Sequence, residues 1–493
     1  MTKASANARA ARRTGNMGAF ELAFFVIAAA GPLLVVAGYT PIAFMVGGVG
    51  APGAQMVASL VLLFFAVGLT RMALRVENAG AFYAYIGQAF GKVAGAGSAV
   101  LAAGSYAVIT AAEVVVVGYF ANALVSNHLD SSIPWWVFSL TAWVIIFFLG
   151  HHRISVSAKV LGVALISEAG ILLILALAVL IVGGPGGVDL LSFEPSSIFA
   201  GGGTGAMFAI VFGAFLGFES TAIYTEEARD PRRTVPRAIY LAIGFLGVFY
   251  TFVSWTVYLA YGKSGIVEAA TKDPVGLVFN AFDHYVGSWA VVVCEVLIVT
   301  SAFASALAFH NTAIRYIHTL GREELFPVAL AKVHEKYGSP ATSNIVLSVI
   351  TLVFTAITVL VGVKDVYLSM FIPIVTTGVV GVITLQAACA LAIVVYFRFV
   401  NKSHGLSLWS TLVAPGVGFI GLAIAVYLTV KNFEFLSGQP LGINILLLSW
   451  VPLLVVIGVV RALIMKSSNP EAFELLTRTN VYKDQKAPVV PSI

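Results

Sequence analysis

Charge is what this chain has least of. Asp, Glu, Lys and Arg together make up 10% of its 493 residues, against about 25% in an ordinary soluble protein. Combined with 59% hydrophobic residues and a mean hydropathy of +0.96, that shortage excludes a cytosolic enzyme and a disordered chain. Cysteine is almost missing as well. Cys294 and Cys389 both lie in apolar runs, so no secreted disulfide scaffold is implied. The sequence also lacks a nucleophile elbow, a phosphate-binding loop, a dinucleotide fingerprint and zinc-ligand spacing. Nothing points to an enzyme, a cofactor or a resident metal. The net charge of +5 would suggest a nucleic-acid partner if the basic residues were clustered, but they are sorted by membrane side instead.

What the chain has is long apolar runs. A helix needs about 20 residues to cross a hydrocarbon core of ~30 Å, and runs bounded by charge, Gly or Pro predict helices over 19–46, 53–73, 93–122, 134–149, 157–182, 206–225, 236–261, 286–310, 341–363, 366–397, 409–430 and 442–465. The expected fold is therefore an all-α membrane protein of twelve transmembrane helices in a lipid bilayer. Lys3, Arg9, Arg12 and Arg13 precede the first run without a small-residue cleavage site, which reads as an uncleaved first helix. With the N-terminus cytoplasmic, every one of the 28 Lys and Arg residues except Lys263, Lys272, Lys364 and Lys431 falls on the cytoplasmic side. This bias supports an even number of crossings and two cytoplasmic termini.

The segment 1–18 is then a cytoplasmic leader, and 466–493 a polar cytoplasmic tail expected to fray. The Gly- and Ser-rich stretch 183–205 separates two five-helix units, 19–182 and 206–397, with helices eleven and twelve, 409–465, as an appendix. Since five is odd, the second unit is inverted relative to the first. Each unit opens with an interrupted helix: Ala28-Ala29-Ala30-Gly31-Pro32 in the first span and Gly213-Ala214-Phe215-Leu216-Gly217-Phe218-Glu219 in the sixth. Pro removes a backbone donor and Gly tolerates non-helical dihedrals. Backbone freed in this way must line a protein-enclosed cavity, where half-helix ends hold polar substrate and ions.

Five glutamates fall within the spans, Glu21, Glu113, Glu168, Glu219 and Glu295, with no Lys or Arg at comparable depth. Acids without bases favour proton coupling or a cationic cargo. Glu21 sits near the cytoplasmic mouth, where hydration suffices. Glu113 shares a helical face with Tyr106 and Thr110, a polar stripe that is either a pocket wall or a helix–helix hydrogen bond. Glu168 lies among Ala164, Leu165 and Leu172, where burial penalises the charged form, a property that a proton carrier uses. Glu219 follows the sixth-helix break, where it organises the unwound backbone or carries a proton. Glu295 has no evident partner. Thr300, Ser301 and Ser305 form a possible sodium site, or simply back-bond within their helix. His151, His152, His310 and His334 fall at or beyond the cytoplasmic ends of spans, without metal-ligand spacing.

The stretch GAFLGFESTAIYTEEARDPRRTVPRAI from Gly213 to Ile239 resembles the sixth-helix signature of the amino acid–polyamine–organocation (APC) permeases. AAAGPLLVVAGYTPIAF from Ala28, RMALRVENAGAFYAYIGQAFG from Arg71 and HNTAIRYIHTLGREELFPVALAKVHEKYGSP from His310 resemble further segments of that family, in family order. The resemblance implies a LeuT-type fold of two inverted five-helix repeats and secondary transport of amino acids or related amines, often coupled to protons. It also implies a substrate carboxylate on amides near Ala30, Gly31 and Pro32, and a substrate amino group at the carbonyls of Ala214, Phe215, Leu216 and Gly217. Glu168 aligns with a position where some relatives carry Lys, and Glu219 with an acid common in the family. Three departures stand out. The first-helix signature appears here as Ala-Ala-Gly-Pro, Glu168 reverses the local charge, and Gly213 replaces a bulky aromatic gate, which implies a roomier pocket or a gate from elsewhere, such as Phe215.

The reading that results is a proton-coupled importer of an amino acid or small organic amine, with Tyr106 and Glu113 in the pocket wall and Glu168 and Glu219 as proton-coupling groups. A polyamine or organocation carrier, or an exchanger, is the nearest alternative. From another class come a transport-derived sensor, for which the short tail offers no signalling domain, and a channel.

Overall fold

Backbone placed in hydrocarbon has to satisfy its own hydrogen bonds, and this chain does so with helices. The computed structural model describes residues 17–76, 82–129, 132–152, 158–219, 228–401 and 406–477. Among these residues the only strand-like pairing is an isolated bridge between Met17 and Ala228. Nine described helices are long and apolar enough to cross a membrane, and three shorter apolar helices accompany them.

The first span is broken as its Gly-Pro pair predicts. Helix α1, Ala19–Ala29, ends at Ala30. Gly31 then turns left-handed at φ +60°, and α2 resumes as Pro32–Leu34, a π-helical run Val35–Tyr39, and Thr40–Gly47. Glu21 belongs to the start of α1, where its Oε2 accepts the Gly18 amide at 2.7 Å and supplies an N-terminal cap. There follow α3 (Ala51–Ala73), α4 (Phe82–Phe90), α5 (Lys92–Leu129), α6 (Trp135–His151) and α7 (Ala158–Val182). After α8, Thr204–Gly213, residues Ala214 to Glu219 leave the helix, with Gly217 at φ +109°. The remainder of the predicted sixth span lies outside the described residues, as does most of the segment 1–18.

The rest of the chain forms α9 (Pro231–Lys272), α10 (Gly276–Tyr285), α11 (Ser288–Arg322), α12 (Ala341–Val361), α13 (Ile372–Val395), α14 (Ala414–Lys431), α15 (Leu441–Ser468) and α16 (Pro470–Leu475). A π-helical run, Tyr367–Phe371, leads into α13. The eighth span is longer than its apolar run, because the stretch after His310 continues as helix to Arg322. His310 is therefore buried inside α11, its Nε2 2.7 Å from Asn344 Oδ1, and not at a helix end. The stretch 183–205 carries the short turns Leu191–Phe193 and Pro195–Phe199, and Asp189 accepts from Tyr258 Oη and Trp255 Nε1, which pins it to α9. One further expectation needs correction. The part of the tail up to Thr477 does not fray. Asn469 Oδ1 caps α16 through the Ala472 amide at 3.2 Å, and Glu474 meets Lys92 at 2.6 Å, fastening the segment to the foot of α5.

Helix α5 is the axis of the molecule. Nearly nine-tenths of its most apolar window is buried, against 17% for α15, and it packs against α4, α6, α11, α12, α13 and α15. Small residues permit the close approach expected between membrane helices. A Cβ on Gly118 would lie 1.9 Å from Ser139 Oγ, and one on Gly381 would lie 2.1 Å from Ser105 Oγ.

Candidate functional site

The two breaks meet. A Cβ added to Gly217 would point at the Ala30 nitrogen, 3.9 Å away. Gly31 packs so closely on α11 that its own added Cβ would stand 3.2 Å from Ser301 Oγ. Glycine is required there both by the left-handed backbone and by this contact.

Beside this meeting point lies a narrow cavity of about 10 Å³, room for about one water molecule. Its walls come from five elements: Ala30, Val35 and Tyr39 from the first break, Ile109 and Glu113 from α5, and Gly213 and Leu216 from the second break. Ser305 and Phe309 of α11 and Val375 and Val379 of α13 complete it. The contributions follow helical periodicity. Ser305 and Phe309 are four residues apart on one face of α11, as are Val375 and Val379 on α13.

Glu113 is the charged residue of this wall. It is 2% exposed, and its Oε1 accepts the Tyr39 hydroxyl at 3.0 Å. Its Oε2 is buried and has no hydrogen-bond partner among the described residues. Of the Tyr106, Thr110 and Glu113 stripe, Glu113 alone lines the cavity, and it also bonds to another helix through Tyr39. Thr110 of the same stripe is spent on the Tyr106 carbonyl at 2.7 Å.

Glu168 stands behind the first break. Its Oε2 accepts the Leu33 amide at 3.2 Å and the Ser301 hydroxyl at 2.7 Å, while Ser301 Oγ accepts the Leu34 amide at 3.3 Å. The carboxylate thus takes the part of a helix cap for α2, satisfying amides that the break leaves orphaned. Glu219 does the same for the second break: Oε2 accepts the Gly217 amide at 3.1 Å and Oε1 accepts the Tyr106 hydroxyl at 2.5 Å. Tyr106 is consequently not in the cavity wall. It lies one layer away, its ring stacked on Phe309 and Tyr316 with centroids 6.2 and 5.4 Å apart.

Other expected site residues separate as well. Phe215 packs against Tyr250 at 5.8 Å and does not face the cavity. Gly213 does not enlarge the pocket, because Val379 fills the space a side chain would take, 3.1 Å from its would-be Cβ. Thr300 is exposed and bonds the Leu297 carbonyl at 2.9 Å, so it does not join Ser301 and Ser305 in an ion site. Gly31, Pro32, Ala214 and Gly217 shape the breaks without lining the cavity. Glu295 does have partners: His128 Nε2 at 2.5 Å and Asn127 Nδ2 at 2.8 Å. Tyr39 was missed by sequence reasoning. Its signal was a hydroxylated aromatic in an apolar run, two turns past Gly31.

Aromatic layers lie on both sides of the cavity along α5. On one side Tyr106 stacks with Phe309 and Tyr316; on the other Tyr39, Phe371, Tyr367 and Tyr119 contact one another at 5.5 to 5.7 Å. The Tyr367 hydroxyl donates to the Gly38 carbonyl, tying the start of α13 to α2.

A chain of apolar helices, two of them broken around a common cavity, defines a multi-pass membrane protein of the permease kind. It belongs to the amino acid permease family, whose profile matches residues 17–460. It is similar to the uncharacterized transporter Rv1999c of Mycobacterium tuberculosis, with 29% identity over 30% of this chain and 32% of that protein. Similarity to the low-affinity putrescine importer PlaP of Escherichia coli is 24% identity over 61% of this chain and 66% of that protein. The branched-chain amino acid permease BcaP of Bacillus subtilis matches at 24% over 30% of this chain and 31% of its own length. The chain thus aligns with between about one third and two thirds of these relatives' lengths. The fold is that of MhsT, solved in complex with L-phenylalanine, at a TM-score of 0.54 and 15% identity, covering 83% of this chain and 98% of that one.

Proposed function

We propose that the protein is a secondary transporter that imports an amino acid or small organic amine across the cell membrane by alternating access, coupled to protons. The observation that carries this reading is the meeting of two broken helices beside one narrow cavity with a buried acid in its wall. In this reading the chain crosses the membrane twelve times with both termini cytoplasmic. The units 19–182 and 206–397 are inverted repeats, and 409–465 is an addition to them.

The geometry around Glu168 suggests how a proton enters the cycle. While ionised, its carboxylate holds the Leu33 amide and the Ser301 hydroxyl, clasping α2 to α11 through charge-assisted bonds. Protonation removes the charge, weakens that clasp and lets the first broken helix tilt relative to α11. Exchange of substrate on either side then requires one aromatic layer to part while the other stays shut. Glu219 ties the second break to α5 through Tyr106, which makes it the natural partner in the same movement.

A polyamine or other organocation carrier is the second reading, favoured by the absence of Lys and Arg from the cavity wall. Uptake of labelled amino acids and amines into proteoliposomes, with and without an inward proton gradient, tests the proposal. The expected outcome is gradient-driven accumulation that Glu168→Gln uncouples. Uptake indifferent to the gradient in the unmodified protein would reject proton coupling, and currents far above carrier turnover would indicate a channel.

A further inference from the structure

A broken helix recognises a carboxylate through amide N–H groups that have no other acceptor. At the first break they are all engaged. Ala30 N donates to the Val26 and Ile27 carbonyls, Gly31 N to Ala28 O at 3.2 Å, and Val35 N to Gly31 O at 2.9 Å. Pro32 has no N–H, Leu33 N is held by Glu168, and Leu34 N by Ser301. At the second break the amides of Ala214 to Gly217 are engaged as well: Ala214, Phe215 and Leu216 donate to the carbonyls of Ile210, Phe212 and Gly213, and Gly217 to Glu219. Among the described residues no Lys, Arg or His lines the cavity to take over the role. In effect Glu168 supplies the carboxylate that a substrate would otherwise bring to the first break.

The opposite holds at Glu113. One of its oxygens is committed to Tyr39, and the other, Oε2, is buried in the cavity wall without a donor. An ammonium group, with three N–H donors and a positive charge, is the complement of that oxygen. Among the described residues of the wall there is one such acid. The remaining wall is mainly hydrocarbon from Val35, Ile109, Leu216, Val375 and Val379, with the Ser305 hydroxyl but no second carboxylate among its described residues, so a second ammonium would find no charged partner there.

We infer that the cavity selects a protonated primary monoamine with a small hydrocarbon body and no carboxylate, its ammonium bound by Glu113 Oε2. The inference deepens the transport reading and rests on it. It separates this site from one built for α-amino acids and from one built for diamines.

Calorimetric binding to the full purified chain in nanodiscs, with isopentylamine, leucine and putrescine as probes, makes the test. Leucine and isopentylamine share the same branched body and differ by the carboxylate, so the comparison needs no variant. Isopentylamine is expected to bind at least tenfold more tightly than either of the others, and Glu113→Gln to weaken it at least tenfold with leucine little affected. Leucine binding as tightly as isopentylamine overturns the proposal while leaving the transport reading intact, and so does a preference for putrescine. Unchanged isopentylamine affinity in a folded Glu113→Gln protein also overturns it. A folded wild-type protein that binds none of the three rejects the monoamine site, and the proteoliposome uptake panel then decides the transport reading separately.

Discussion

Glu168 and Glu113 are equally buried, each 2% exposed, and both face the first broken helix, yet they do opposite things. Glu168 is occupied by its own protein: one oxygen gathers a backbone amide and a serine hydroxyl, and through that serine a second amide. Glu113 receives a single tyrosine hydroxyl and keeps an oxygen uncommitted at a cavity wall. Burying an acid is costly unless its hydrogen bonds are made. The first arrangement meets that cost within the fold and stabilises a broken backbone. The second leaves it unmet among the described residues, and in the proposed reading a ligand meets it. Burial alone therefore does not separate the two acids; the count of donors at each oxygen does.

Exchanging the two roles by mutation gives the largest expected effect. Glu113→Gln should reduce amine uptake at least tenfold and keep whatever gradient dependence remains, whereas Glu168→Gln should hold binding within about threefold and flatten the response to a proton gradient. Equal losses of binding in both variants would erase the contrast. Tyr39→Phe removes the one donor at Glu113 Oε1, and a hydrogen bond contributing about 0.5–1.5 kcal/mol translates into a two- to tenfold change in amine affinity by titration. Gly31→Ala tests the backbone side of the comparison. A left-handed non-glycine residue costs roughly 1–2 kcal/mol, so the thermal unfolding temperature should drop by a few degrees, with the contact to Ser301 strained. The smallest effect belongs to Thr300→Ala, which should change neither uptake nor its sodium dependence, because that hydroxyl only bonds its own helix.

The sequence made the breaks legible because Gly-Pro and Gly-rich interruptions act locally, and Gly31 and Gly217 are where the helices leave their path. It also pointed to Glu113 and Glu168, since an acid in an apolar run is conspicuous wherever the run folds. What it could not supply was pairing across long separations. Tyr39 with Glu113, His128 with Glu295 and Ser301 with Glu168 are 74, 167 and 133 residues apart, and no periodicity within one helix reveals which neighbour a side chain will meet. The outward turn of Thr300 and the packing of Phe215 on Tyr250 have the same origin, because a residue's face depends on the helices around it. The docked segment around Asn469 was misjudged for a different reason. Polar composition suggested fraying, whereas a cap and one ion pair are sufficient to hold a short helix in place.

Helix α5 has a consequence for how such a protein can move. Its 38 residues extend about 57 Å at 1.5 Å each, nearly twice the thickness of the hydrocarbon core, and it carries Tyr106, Glu113 and Tyr119 at fixed intervals along one rod. Those intervals cannot stretch. The distance from Glu113 to the aromatic layer on either side is therefore constant, and in the proposed cycle any opening would come from the jointed helices swinging past a stationary ruler.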